Sequence, residues 1–93
     1  LQEIDISVAT GISEPGVLDP GSQIVAIRQD LAREIGVRIN STRRIEMEGA
    51  NGITNWTLGC AEHVPMQVGG VPFKIHAYVV ERAPFRLLLG RPF

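Results

Sequence analysis

Val17-Leu18-Asp19-Pro20-Gly21-Ser22 is the stretch that decides how this chain is read. Two apolar residues suited to a strand run straight into an aspartate, and the strand must stop there. Pro20 has no N–H to give a ladder, and Gly21 opens backbone angles that other residues avoid. An aspartate at the end of an apolar strand lies near core side chains, a setting that disfavours a carboxylate's charged form unless something compensates. Asp-Pro-Gly is also ordinary turn chemistry, so the tripeptide by itself supports either a turn-former or a functional acid. The aspartates are few enough to weigh singly. Ten acidic residues divide into seven Glu and three Asp, namely Asp5, Asp19 and Asp30, and eight of the nine basic residues are Arg.

Upstream, Glu3 to Val8 alternates polar and apolar residues, the period of a half-buried strand. Thr10-Gly11 and Glu14-Pro15-Gly16 read as turn signals before Val17. Downstream, Gln23 to Ile27 leads into a helical window over Arg28 to Ile35. Ile27, Leu31 and Ile35 recur at i, i+4 and i+8 as one apolar stripe, and Gly36 stands where a glycine would stop the helix. Two turns are too short to be stable alone, so this helix must pack on a sheet.

The rest reads as β-structure. Ile45-Glu46-Met47 approaches Gly49-Ala50-Asn51-Gly52, where Asn51-Gly52 is a strong hairpin signal, and Ile53 to Leu58 returns. Cys60 to Val68 and the alternating Val71 to Val79 flank a second turn at Gly69-Gly70. Leu87-Leu88-Leu89-Gly90 is continuously apolar, as in a strand covered on both faces. Short strands with glycine turns and one helix predict a small barrel or sandwich.

Composition bounds the function. The chain has 93 residues, 44% of them apolar and 20% charged, which is enough for one core and excludes a wholly disordered chain. Cys60 is the only cysteine, so no disulfide framework can form within the chain. A net charge of −1 supplies no field for nucleic acid or anionic membranes, and no apolar run is long enough to span a bilayer. The expectation is a single intracellular, cytoplasmic domain over residues 1–93, with no nucleic-acid or membrane partner.

Other constellations carry less. Cys60-Ala61-Glu62-His63 has the look of half a metal site, but positions i and i+3 of a strand face opposite sides. A buried thiol and a surface imidazole are expected instead. Ser22, His63 and Asp19 are the residue types of a hydrolase triad, yet no G-x-S-x-G elbow is present. Asn40-Ser41-Thr42 and Asn55-Trp56-Thr57 match the glycosylation sequon and read as a loop and a hairpin flank. Gly49 to Gly52 lacks the lysine of a phosphate loop; it is either a plain hairpin turn or a tip that closes over a ligand.

Two segments together resemble a known family. Val17-Leu18-Asp19-Pro20-Gly21-Ser22 is similar to the active-site loop of retroviral-type aspartic proteases, and Leu87-Leu88-Leu89-Gly90-Arg91 to the apolar-apolar-Gly-Arg segment near the end of the same domain. The hairpin from Glu46 to Trp56 lies where that family has its flap. Asp-Pro-Gly-Ser-Gln-Ile, Ala-Asn-Gly and Leu-Leu-Gly-Arg-Pro-Phe resemble most the retropepsin-like domains of long-terminal-repeat retrotransposon polyproteins and of host genes derived from them.

The resemblance implies a mostly β, closed-barrel-like retropepsin fold with one short helix and a flap hairpin. It further implies an aspartic endopeptidase acting on a peptide or polyprotein, without metal or cofactor. Each protomer of a homodimer would give one catalytic Asp19. Gly21 would allow close approach beneath the carboxylates, and Ser22 would hydrogen-bond the carboxylate. Gly49, Ala50, Asn51 and Gly52 would cover the substrate, and Leu18 and Leu88 would wall its pocket.

Two departures stand against that pattern. Pro20 replaces a Thr or Ser whose hydroxyl and N–H lock the two loops across the dimer axis, and proline supplies neither donor. The chain also stops soon after Gly90-Arg91, with Pro92 in place of the usual polar residue. It is therefore expected to be a piece of a longer polyprotein, without the C-terminal helix and dimer strand, and to dimerise weakly. The competing expectations are a catalytically silent retropepsin-like interaction or dimerisation module and, further off, an unrelated β-barrel binder.

Overall fold

The structure, a computed structural model, describes residues 2–9, 11–48, 52 and 54–93. Among these it forms nine strands and one helix: β1 Gln2–Val8, β2 Ile12–Leu18, β3 Val25–Arg28, α1 Gln29–Ile35, β4 Ile39–Asn40, β5 Glu46–Glu48, β6 Thr54–Trp56, β7 Gly59–Val68, β8 Val71–Val80 and β9 Leu87–Leu89. Six strands follow the order β1-β2-β9-β3-β8-β7, and β7 pairs back onto β1, closing a barrel; β4 adds to the outer edge of β7. Closure removes the open edges that invite mispairing. β5 and β6 form a separate hairpin. The helix is short, and among the described residues no helix is long and apolar enough to cross a membrane.

Two ladders place the middle of the fold. β9 runs parallel to β2, with Val17 opposite Leu88 and Leu18 opposite Leu89. It runs antiparallel to β3, with Ala26 opposite Leu88. A strand flanked on both edges and covered on both faces has no polar side, which is why Leu87, Leu88 and Leu89 are all buried. Ile6, Val25, Ile27, Leu87 and Leu89 join the α1 residues Leu31, Ala32 and Ile35 in one core. The helical stripe expected over Ile27, Leu31 and Ile35 is thus the face that packs on the barrel. The helix begins one residue later than expected, because Arg28 is still extended and acts as its N-cap residue. Gly36 closes it in the left-handed conformation, its N–H donating to the carbonyls of Ala32 and Arg33.

Three local expectations need correction. Glu14-Pro15-Gly16 is no turn: β2 runs straight through it, paired with β1, and Pro15 lies opposite Asp5. β9 reaches only Val17 and Leu18, so Pro15 falls where β2 has a single neighbour and one edge can lack a donor. Gly16 serves packing, since a Cβ there would meet Leu89 Cδ1 at 2.6 Å. Asn40 ends the short strand β4 and is not purely a loop residue. At Cys60-Ala61-Glu62-His63 a bulge interrupts the β7–β8 register between Ala61 and Val64, with His63 at φ 53°, so simple alternation fails there. Cys60 is nevertheless buried and His63 exposed. The Gly69-Gly70 turn matches expectation, both residues having positive φ as a tight hairpin requires.

Leu87→Ala should lower unfolding free energy by about 2–5 kcal/mol, because Leu87 is fully buried between two strands and the barrel cannot collapse onto the gap. Trp56→Ala, at a residue 56% exposed, should change it by about 0.5 kcal/mol or less. Urea unfolding of both variants beside the parent chain checks the contrast.

Candidate active site

The loop after β2 is built on its own backbone. The Asp19 N–H donates to the Leu89 carbonyl at 3.0 Å, which extends the parallel β2–β9 ladder by one residue. Pro20 and Gly21 then turn the chain, and the Ser22 N–H donates back to the Asp19 carbonyl at 3.0 Å. This turn brings the Gly21 N–H to 3.0 Å from Asp19 Oδ1. The aspartate is thereby fixed at its main chain by β9 and at its carboxylate by the next turn. A Cβ on Gly21 would lie 3.2 Å from Asp19 Oδ1, so the glycine keeps that approach open.

Ser22 behaves differently from expectation. Its hydroxyl donates to the Ile24 carbonyl at 3.1 Å and accepts from the Ile24 N–H at 3.3 Å, and it does not reach the carboxylate. The backbone competes for a short hydroxyl, and here the local turn wins. Gly21 fills the role expected of Ser22.

The C-terminal segment clamps the same loop. Arg91 donates its N–H to the Ser22 carbonyl at 2.9 Å and its Nε to the Pro20 carbonyl at 3.2 Å. Gly90 lies flat against this backbone: a Cβ there would collide with the Ile24 carbonyl oxygen and come within 2.7 Å of that of Ser22. No side chain can occupy the position without moving the aspartate loop. The sequence signal was present in Leu-Leu-Gly-Arg, but its partner could not be read from it.

Asp19, Gly21, Ser22 and Leu88 line one groove of about 900 Å³. Its other walls are Met47, Asn55 and Trp56 from the β5–β6 hairpin and the Glu81–Phe85 loop. Leu18, expected as a pocket wall, packs partly buried against the core instead. Along β2, Leu18 falls on the same face as the buried Glu14 and Gly16, the side toward the core. Gly49, Ala50 and Asn51, expected at the hairpin tip, lie outside the described residues; Gly52 is exposed, with φ 80°.

The hairpin is pinned at its base. Thr57, 1% exposed, donates its N–H to the Ile45 carbonyl at 2.9 Å and accepts the Ile45 N–H on Oγ1 at 3.1 Å. Thr57 is the third residue of a sequon, and its hydroxyl is committed to this contact. Arg44 donates Nε to the Thr57 carbonyl at 2.9 Å, with its guanidinium carbon 5.5 Å from the Trp56 ring centre. The position of Trp56 in the groove was not legible from the sequence; its being the only tryptophan was the single available signal.

The opposite wall rests on charges. Arg28 grips Asp30 with two bonds, Nε to Oδ1 at 2.7 Å and Nη2 to Oδ2 at 3.0 Å. Arg86 donates to the Glu14 carboxylate at 3.0 Å and to Glu34, and its Nε lies 3.5 Å from Asp30 Oδ2. The hydrogen bonds from Arg28 hold the Asp30 carboxyl down at about 2. Burial raises the Cys60 thiol above its ordinary value, so this cysteine is not activated. Among the described residues no three His, Cys, Asp or Glu side chains are grouped to hold a metal ion.

Comparison with known proteins gives a family and a fold. The family model described as "gag-polyprotein putative aspartyl protease" matches residues 8–93. The chain belongs to this family. The retroviral protease-like domain of Ddi1 from Leishmania major superposes with a TM-score of 0.74 at 17% identity, over 95% of this chain and 70% of that one. The simian foamy virus (mac) protease superposes with a TM-score of 0.64 at 11% identity, over 96% of this chain and 87% of that one. At such identities the two structures establish the shared fold: a mostly β closed barrel with one helix, of the retroviral-protease type. No curated protein matches the sequence.

Gly90→Ala tests the Gly90-Arg91 clamp. The added methyl meets backbone oxygens, which cannot swing aside as a side chain can, so a loss of about 1–3 kcal/mol or more is expected. Amide chemical shifts at Gly21 and Ser22 should move with it. Shifts confined to Gly90 and its sequence neighbours would show that the packing there is loose.

Proposed function

We propose that this domain is an aspartic endopeptidase that acts as a homodimer on peptide segments, the polyprotein carrying it among them. The supporting observation is the placement of Asp19: held by Leu89 and Gly21, it lines a groove of about 900 Å³ that the β5–β6 hairpin also lines. One chain offers one such aspartate, and the chemistry needs two. In a symmetric dimer the two Asp19 carboxylates would lie within hydrogen-bond distance and share one proton, since like charges that close cannot both ionise.

The ionised carboxylate takes a proton from a water held between the pair. The protonated one gives its proton to the scissile carbonyl oxygen as the water oxygen bonds to the carbonyl carbon, forming a gem-diol. Proton transfer to the amide nitrogen then lets the C–N bond break, with release of a carboxylic acid and an amine. No covalent enzyme intermediate forms. Gly21 orients the carboxylate through its N–H, Leu88 provides apolar wall, and the hairpin tip Gly49–Gly52 closes over the peptide.

A second reading is favoured by one observation. Pro20 is exposed at the turn and has neither hydroxyl nor N–H to offer a partner loop. A domain that lacks this lock would serve as an interaction or dimerisation module without activity, and its dimer would be weak.

Two variants separate the readings. Asp19→Asn should reduce peptide cleavage by about 10²–10⁴-fold or more with the melting temperature nearly unchanged, because asparagine keeps the shape and cannot exchange the proton. Cleavage at the parent rate would end the endopeptidase reading. Pro20→Thr should tighten the dimer about ten-fold or more without loss of activity: each restored bond contributes ~0.5–1.5 kcal/mol and the two-fold axis doubles the number. Sedimentation of both proteins checks it, and an unchanged or weaker dimer would mean that the Asp19 loops do not face each other.

A further inference from the structure

The wall of the groove opposite the hairpin is a segment without regular structure. Glu81 to Phe85 joins β8 to β9 and contributes five consecutive residues to the lining. Below it the Arg28 N–H donates to the Arg86 carbonyl at 2.8 Å, and above it the chain leaves β8 at Val80. Between those anchors, among the described residues, Arg82 to Phe85 receive one tertiary hydrogen bond: Arg28 Nη1 to the Ala83 carbonyl at 3.0 Å. Residues 28 and 83 meet because β3 and β8 run parallel, with Arg28 opposite Val80 at the ladder's end.

Arg28 is itself held. Its other two donors, Nε and Nη2, grip both oxygens of Asp30 from the first turn of α1. Bidentate pairing fixes the plane of a guanidinium and leaves the third nitrogen aimed in one direction. Arg86 strengthens the frame, binding Glu14 of β2 and Glu34 of α1 while approaching Asp30. The arrangement is a bracket between helix and barrel whose free arm supports the groove wall at mid-span.

We propose that Arg28, oriented by Asp30, is a positioning residue for substrate, holding the Ala83–Phe85 wall at the spacing from the hairpin that an extended peptide requires. This rests on the endopeptidase reading of the groove. Arg28 does not line the groove and Asp19 is anchored separately through Leu89 and Gly21. Loosening the wall should therefore weaken peptide binding while leaving the proton chemistry intact.

The test uses Arg28→Met, which keeps the apolar stem and removes all three donor contacts, together with Arg28→Lys and Asp30→Asn. Backbone order parameters of Arg82, Ala83 and Phe85 should fall from the rigid value of about 0.85 toward 0.6 or lower in Arg28→Met, with barrel residues such as Val79 and Leu89 unchanged. In peptide cleavage KM should rise about ten-fold while kcat stays within about three-fold, the pattern of lost ground-state binding. Arg28→Lys can reach Ala83 or Asp30 but not form the fork, so it should restore part of the KM. Asp30→Asn should show the same change as Arg28→Met, smaller.

A wall that stays ordered in Arg28→Met, or a loss seen in kcat with KM unchanged, would overturn the bracket and leave the endopeptidase reading intact. If the parent chain neither cleaves peptides nor binds a statine-containing peptide, the probe for a paired-aspartate site, the endopeptidase reading fails and this role falls with it. The order parameters would then report only how the wall is held.

Discussion

The contact of Gly90 with the backbone of Ser22 to Ile24 is the constraint on which the rest of this structure depends. Two main chains approach closely there because Gly90 has no Cβ, which would otherwise meet the Ser22 and Ile24 carbonyl oxygens. The contact lets β9 slide between β2 and β3, so that Leu89 receives the Asp19 N–H on one side and Arg91 reaches the Ser22 and Pro20 carbonyls on the other. A strand inserted between two others has to be apolar on both faces, and the three leucines meet that requirement. Closure of the barrel and fixation of the aspartate loop are consequences of this one insertion.

The groove combines parts that differ in how firmly they are held. Its floor, at Asp19 and Leu88, is tied into the central ladder. One wall is a hairpin closed at its base by the hydrogen bonds between Thr57 and Ile45. The other is an irregular segment braced by the Arg28–Asp30 pair. Exposed ion pairs contribute little to stability in general. Here the pair is more informative as geometry: it turns a flexible arginine into a directed donor. A rigid floor with softer walls suits a site that must fix reacting groups and still admit a chain.

Much of this architecture was legible in the linear chain. The alternation of Val71 to Val79, the glycine turn at Gly69-Gly70, the stripe at Ile27, Leu31 and Ile35, and the double-sided run Leu87 to Leu89 all depend on local periodicity, which sequence carries directly. The misreadings have a common cause. Glu14-Pro15-Gly16 has turn composition, yet it is strand, because Gly16 is demanded by Leu89 from a segment more than seventy residues away. Ser22 has the right chemistry to bind a carboxylate, yet Ile24 is nearer. Leu18 is apolar and adjacent to Asp19, and strand alternation puts it on the core side.

The sequence by itself determined the strands, the helix and the aspartate that ends β2, since each follows from the order of apolar, turn-forming and β-branched residues over a few positions. It also carried the pairing of Asp-Pro-Gly-Ser with Leu-Leu-Gly-Arg that marks the family. Tertiary structure alone decided which distant groups meet: Leu89 on Asp19, Arg91 on Pro20 and Ser22, Arg28 on Ala83. These contacts depend on barrel closure and on the register of parallel strands, which bring residues 28 and 83 together through pairings of β3 with β8. No local pattern encodes such a meeting, because each partner's residue type is common and only the folded path of the chain gives it an address.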